Sequence, residues 1–228
     1  MLKAIVFDFD GVIVDSEPLH YRAFVEIARG FGLDFTYEQY VRDYIGFDDR
    51  DAIGAMLQEA TGTADAQRIR ELCAVKCRRF EAIAERGVRP YPGVLELIQE
   101  AAAAMPLAIA SGATGHDIDL ICQQLGLAGR FTAIVSADDV SHSKPDPQTY
   151  TKAVRDLSRR CTDLALEAGD CIAIEDTSAG IKSARVAGLW ALGVSNTMGA
   201  GALSEAHHVV ASLNGLNLET LRRWHDES

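Results

Sequence analysis

The sequence predicts an α/β fold in which a parallel-sheet core is split by an inserted helical domain. Three observations lead there. A brief apolar run at 2–7 closes on a polar, glycine-containing turn. From about Glu17 to Arg86 the pattern is helical and offers no convincing strand. After Tyr91-Pro92-Gly93, strand-like runs alternate with helical stretches of about 10–15 residues, the mark of βαβ units and a parallel sheet.

Residues 2–7 read as a short buried strand. Pro18 suits a first helical turn, with Leu19, Phe24 and Ile27 as a rough apolar stripe; Gly30 and Gly32 stop that helix. Further helices are expected near 36–44, 48–60 and 64–85, broken by the Gly46 region and by Thr61-Gly62. Beyond them, helix 94–104 leads to strand 107–110 and helix 115–125 to strand 132–135. Helix 147–158 then leads to strand 171–174, and helix 178–187 to strand 190–194, with Trp190 as core. The first strand joins this sheet only if the chain between is an insertion. The expected organisation is therefore a core of 1–15 and 88–228 and an α-helical cap domain of 16–87. No repeat or low-complexity segment interrupts it.

Composition narrows the function. The chain has 228 residues, 48% apolar and 24% charged, which are ordinary globular values. With 22 basic against 33 acidic residues the formal charge is −11, so a nucleic-acid backbone would be repelled. A small anionic substrate stays open, because a local pocket can still be positive. The five cysteines are odd in number and contain no C-x-x-C, which points to a reducing compartment. The start, MLKAIVFDFD, carries no secretory pattern, and 101–110 is too short to span a bilayer. A cytoplasmic protein without membrane or nucleic-acid partners is expected, monomeric by default.

In an open parallel sheet, ligands bind at the carboxyl ends of the strands. The polar residues there are Asp8 and Asp10 with Gly11, then Ser111 with Gly112, then Lys144, then Glu175 with Asp176. Each alone reads as a turn, a cap or a solvated loop. At successive strand ends they are not independent turns, and their chemistry is coherent. Asp8 and Asp10, two apart in extended chain, face the same way. Clustered carboxylates repel unless a cation sits among them, and Mg2+ suits oxygen ligands. Ser111 and nearby N–H groups can hold phosphate oxygens, and Lys144 can neutralise charge. One carboxylate can then attack phosphorus while the other moves protons.

These residues stand in DFDGVIVDSE (8–17), SGAT (111–114), KPDP (144–147) and IEDTSAGIKSA (174–184). Together they resemble the four motifs of the haloacid dehalogenase-like phosphotransferase superfamily, in order and over the whole chain. The resemblance implies a Rossmann-like core with a helical cap after the first strand. It implies Asp8 as nucleophile, Asp10 as acid/base, and Ser111 and Lys144 on the phosphate. Mg2+ would bind Asp8, the Asp10 carbonyl and Asp176, with help from Glu175. Dehalogenases of the superfamily lack the second Asp of the first motif, so Asp10 favours phosphoryl chemistry.

DSEPLHYRAF (15–24) and YIGFDDRDAI (44–53) resemble the β-phosphoglucomutase and phosphoglycolate phosphatase-like subgroup. By that likeness His20 and Arg50 lie at or near cap positions that contact substrate, and Lys76 has an approximate counterpart. Gly46 is a hinge or close-approach point on the cap's specificity loop. Arg50 can instead pair with Asp48, Asp49 or Asp51, and His20 can be a satisfied rim residue. The mutase's second motif reads S-A-S-x-N, whereas here it is Ser111-Gly112-Ala113-Thr114-Gly115. The second Ser and the Asn are absent, which favours hydrolysis. The expected activity is thus a Mg2+-dependent phosphatase of a small phosphorylated metabolite, a sugar phosphate or phosphoglycolate-like ester. The alternatives are a sugar phosphate mutase and, in another class, a non-enzymatic phospho-receiver. The N-terminal position of DFDGV and the inserted cap argue against the receiver.

Overall fold

A computed structural model describes residues 1–45 and 47–227. β1 (Ala4–Phe7) lies at the middle of a six-stranded sheet, between β2 (Leu107–Ala110) and β4 (Cys171–Glu175). β3 (Ala133–Val135) flanks β2, and β5 (Trp190–Val194) and β6 (His208–Val210) continue beyond β4. Every pairing is parallel. Every residue of β1, β2, β4 and β5 is buried, as expected of parallel strands covered on both faces. This is the α/β, Rossmann-like architecture that the sequence predicts.

Register places the candidate residues. Phe7 sits opposite Ile109 on one side and Ile174 on the other. The chain beyond Phe7 therefore emerges beside the ends of β2 and β4, where the strand order runs outward both ways. Such a switch point leaves a crevice at the carboxyl edge.

By contacts the chain divides into two units, Met1–Asp15 with Arg89–Ser228, and Ser16–Val88. In the first, helices α5 (Val94–Ala102), α6 (Gly115–Gln124), α7 (Gln148–Arg160) and α8 (Ser178–Val186) precede β2, β3, β4 and β5 in turn. One sheet face packs Ala4, Val6, Ala108 and Ala173 against Tyr150, Ala153 and Leu157 of α7 and Ile181 and Ala184 of α8. The i, i+3, i+7 spacing on α7 is the helical counterpart of the alternate residues on the strands.

The second unit is helical: α1 (Glu17–Ala28), α2 (Tyr37–Asp43), α3 (Asp49–Thr61) and α4 (Ala66–Ala84). Its ends carry the expected signals. Thr36 forms a capping box with Gln39, and Asp48 and Asp65 accept the Asp51 and Arg68 N–H groups. Gly62 closes α3 in the left-handed region. Phe24, Ile27, Phe35, Tyr40, Ile53, Met56 and Leu72 form its core.

Two elements go beyond the sequence reading, β6 and α9 (Leu218–Asp226). β6 is a three-residue edge strand of half-buried residues, too short to show alternation. α9 is a short, mostly polar helix that buries Leu218 and Leu221, three apart on one face. The first strand also begins at Ala4 rather than residue 2, although the Lys3 N–H still donates to Asp170 O at 2.8 Å. Among the described residues no helix is long and apolar enough to cross a membrane.

Candidate active site

Asp8 follows β1 directly, and its N–H still donates to the Ile174 carbonyl at 2.9 Å. The chain then turns back at once: the Ile13 and Val14 N–H groups donate to Phe9 O, and Gly11 N–H donates to Val14 O. Gly11 has φ of +82°, and a Cβ there would lie 1.8 Å from Asp176 Oδ2. Only glycine serves both demands, the positive φ and the close approach of the carboxylate. Asn196 Nδ2 donates to Gly11 O at 2.7 Å and ties the loop after β5 to this turn.

Lys144 reaches the same place from the loop before α7. Its Nζ donates to Asp8 Oδ1 at 2.6 Å, to Ala110 O at 2.9 Å and to Glu175 Oε1 at 2.5 Å. An ammonium has three hydrogens, and here each has an acceptor. Ser183 Oγ donates to Asp146 O at 2.7 Å and pins that loop to α8.

Glu175, fully buried, organises the cluster. Its Oε1 also accepts from Tyr150 Oη at 2.8 Å, and its Oε2 accepts from Thr177 Oγ1 and from the Asp176 and Thr177 N–H groups. The carboxylate lies over Gly180, where a Cβ would be 1.9 Å from it. Gly180→Ala is therefore expected to push Glu175 off Lys144, lowering both melting temperature and turnover. Overpacking of this kind costs about 1–3 kcal/mol. Thermal melts and activity of the variant check it, and wild-type values for both would contradict the tight placement.

Electrostatics follow from burial. Burial raises the Asp8 carboxyl, Lys144 opposes this, and Glu175 and Asp10 add to it, leaving its pKa at about 7. Asp176 is held well above the carboxylate range by burial and by the charges of Asp8 and Glu175. Burial disfavours the Lys144 ammonium, but Asp8 and Glu175 outweigh it and raise its pKa. The Tyr150 hydroxyl, raised by burial and then by Glu175, stays protonated.

Oxygens of Asp8, Glu175 and Asp176 lie within 4.8 Å of one another. Asp176 Oδ1 is buried with no hydrogen-bond partner. An orphaned buried oxygen among mutually repelling carboxylates is what an oxygen-ligated cation would satisfy, so these residues fit Mg2+. Glu175, expected from the sequence to help with the metal, is in the cluster but has both oxygens already accepting hydrogen bonds.

Ser111 follows β2 directly, its N–H donating to Val135 O at 2.9 Å. It is buried, and its Oγ accepts the Ala113 N–H at 2.9 Å, leaving its own hydrogen to donate. Gly112 faces open space: a Cβ at this position would meet nothing within 4 Å. Asp10 is half-buried and close enough for its charge to act on Asp8.

In the helical unit, Lys76 is almost wholly buried on α4. It contacts His20 Nδ1 at 2.7 Å and Asp49 Oδ1 at 2.6 Å, over the rings of Phe24 and Phe80. Lysine can only donate, so Nδ1 accepts and the His20 proton sits on Nε2. His20 also stacks on Phe80. Arg50, second residue of α3, is exposed, while Asp49 pairs with Lys76. Gly46 lies outside the described residues.

The structure thus brings Asp8, Lys144, Glu175 and Asp176 into one connected cluster with Ser111 and Asp10 at its border. Sequence reasoning missed Tyr150, Thr177, Gly180 and the Asn196-Thr197 pair, of which Thr197 hydrogen-bonds to the Asp176 carboxylate. Tyr150 reads as a core aromatic and Gly180 as a small helix residue. A signal existed only for the last pair, since polar residues straight after a strand run are candidates at the same sheet edge.

The chain is similar to known proteins in sequence and in fold. A family model described as haloacid dehalogenase-like hydrolase matches residues 5–194. Protein CbbY of Cupriavidus necator is 34% identical over 200 residues, covering 82% of this chain and 76% of that protein. The fructose-1-phosphate phosphatase YqaB of Escherichia coli is 26% identical over 190 residues, covering 83% and 95%. Among solved structures, CbbY of Rhodobacter sphaeroides in complex with xylulose-(1,5)bisphosphate superposes with a TM-score of 0.85 at 26% identity, over 97% of this chain and 99% of that one. A β-phosphoglucomutase of Clostridium difficile gives 0.86 at 23% identity, over 100% and 98%, a likeness of fold.

Proposed function

The chain belongs to the haloacid dehalogenase-like hydrolase family, and on that premise we propose that it is a Mg2+-dependent phosphatase of small phosphorylated metabolites. The observation that carries the reading is Asp8, a buried carboxylate held at 2.6 Å by Lys144 and flanked by Asp176. The fructose 1-phosphate of the Escherichia coli relative and the xylulose bisphosphate bound to the Rhodobacter sphaeroides one support a sugar phosphate as the ester.

Asp8 is the nucleophile. One of its oxygens bonds to phosphorus as the ester oxygen departs, and Asp10 gives that oxygen a proton, so the alcohol leaves neutral. The product is an aspartyl-phosphate. Asp10, now a carboxylate, takes a proton from water, which attacks phosphorus and returns Asp8 and free phosphate. Ser111, the N–H of Gly112 and Lys144 hold the phosphoryl oxygens. Asp8, Asp176 and the Asp10 carbonyl would hold Mg2+, with Glu175 orienting Lys144 behind them. When bound there, the ion offsets carboxylate repulsion and polarises the phosphoryl group. The helical unit, through His20, Gly46 and Arg50, sets which ester is accepted. The five free thiols support a reducing, cytoplasmic setting, and a monomer is the default reading.

The test is phosphate release, with and without Mg2+, from phosphoglycolate, hexose 6-phosphates, fructose 1-phosphate and β-glucose 1-phosphate. Mg2+-dependent release concentrated on one or two of them is expected. Isomerised sugar phosphate without free phosphate would replace hydrolysis by a mutase. Arg50→Ala is expected to alter the ranking of these esters rather than abolish turnover, and an unchanged ranking would remove Arg50 from the substrate-selecting set.

A further inference from the structure

We propose that Tyr150 is a positioning residue of the reaction, acting through Glu175 to keep the Lys144 ammonium on Asp8. The inference rests on the proposed role of Asp8 as nucleophile. Tyr150 is fully buried on α7, six residues after Lys144, so the segment that delivers the lysine delivers its support as well. Its hydroxyl donates to Glu175 Oε1 at 2.8 Å, the oxygen that also accepts from Lys144. The Lys144 ammonium lies 4.9 Å from the centre of the Tyr150 ring. Tyrosine thus meets both members of the Lys144–Glu175 pair and is itself out of reach of a substrate.

The hydroxyl sets how Lys144 divides itself. Its hydrogens go to Asp8 Oδ1, Ala110 O and Glu175 Oε1. Glu175 Oε1 is shared between the phenol and the ammonium. With the phenol hydrogen removed, that oxygen has the ammonium alone, draws it closer and loosens its contact with Asp8. A buried tyrosine serving only as filler would need no hydroxyl, since phenylalanine occupies nearly the same volume. Sub-ångström placement of such supporting groups changes rate more than binding.

The experiment is a double-mutant cycle of Tyr150→Phe and Glu175→Gln, read as kcat and KM for p-nitrophenyl phosphate and for the best ester of the panel, with Mg2+ and with melts of every variant. Tyr150→Phe is expected to lower kcat about tenfold, the scale for partners behind a metal-site group. KM should stay within about twofold and the fold should remain intact. The loss should shrink in the Glu175→Gln background, whose amide oxygen can still accept the phenol hydrogen but no longer draws the ammonium as a carboxylate does. Wild-type kcat in Tyr150→Phe overturns the proposal. So does an equal loss in both backgrounds, which would mean an effect independent of Glu175. If the wild-type protein itself releases no phosphate from any of these esters, the reading of the site falls first and takes this inference with it.

Discussion

Asp8→Asn is expected to lose phosphate release by more than about a thousandfold and yet to melt at a higher temperature than the wild type when metal is chelated. The first effect follows from replacing the attacking oxygen by an amide. The second follows from the site's electrostatics. Burial, with Glu175 and Asp10, raises the Asp8 pKa from its ordinary value to about 7 despite Lys144. A carboxyl whose folded pKa is raised stabilises the fold fully below its unfolded pKa, and that stabilisation is lost as pH rises through about 7. Metal-free wild type should therefore lose stability between about pH 4 and pH 7 from this group, and Asp8→Asn should flatten that slope. Mg2+ should raise the wild-type melting temperature by several degrees, since a ligand at about a hundred times its Kd adds about 2.7 kcal/mol. The same ion should do less for the variant. Melts across pH, with chelator and with Mg2+, check all of this. A variant less stable than wild type in chelator would contradict the repulsion on which the metal assignment rests.

Lys144→Met is expected to do the reverse to stability. It abolishes turnover and destabilises the protein, because Asp8 and Glu175 both lose their ammonium. Removing one partner of a buried ion pair costs about 3–5 kcal/mol, which in a chain of this size lowers Tm by roughly 6–20 °C. Protonation of the stranded Asp8, whose pKa burial already raises to about 7, relieves part of this at low pH, so the deficit should widen as pH rises toward 8. The two variants remove opposite ends of one 2.6 Å contact. Opposite signs in their melts would mark a site in which negative charge is in excess and the lysine is what makes it tolerable. Equal losses would mark an ordinary structural ion pair.

Much of this arrangement is legible in the residues. The central strand, the alternation after Tyr91 and the helical insertion follow from periodicity, and the strand ends name Asp8, Ser111, Lys144 and Asp176 because parallel sheets collect ligands there. What is not legible depends on contacts between distant segments. Glu175 and Asp176 look like equivalent neighbours, yet one side chain meets Lys144 and Tyr150 while the other retains an orphaned oxygen. The glycines at 11 and 180 leave room for those two carboxylates, a demand visible only once the chain has folded back. Lys76 illustrates the converse. From the sequence Lys76 has only an approximate counterpart among substrate-contacting cap residues, and here it is buried between aromatic rings, His20 and Asp49. β6 escapes because three residues are too few to show a period, and α9 because it is a short, mostly polar segment that buries only Leu218 and Leu221 on one face.

The role of Asp8 is tested most directly by acid-quenching the wild-type enzyme during its first turnover of the best phosphomonoester, digesting it and locating covalent phosphate by mass spectrometry. The account predicts phosphate on the peptide containing Asp8, carried by Asp8 itself and decaying as free phosphate appears. Phosphate on a different side chain, or turnover during which Asp8 stays unmodified throughout the time course, would contradict it.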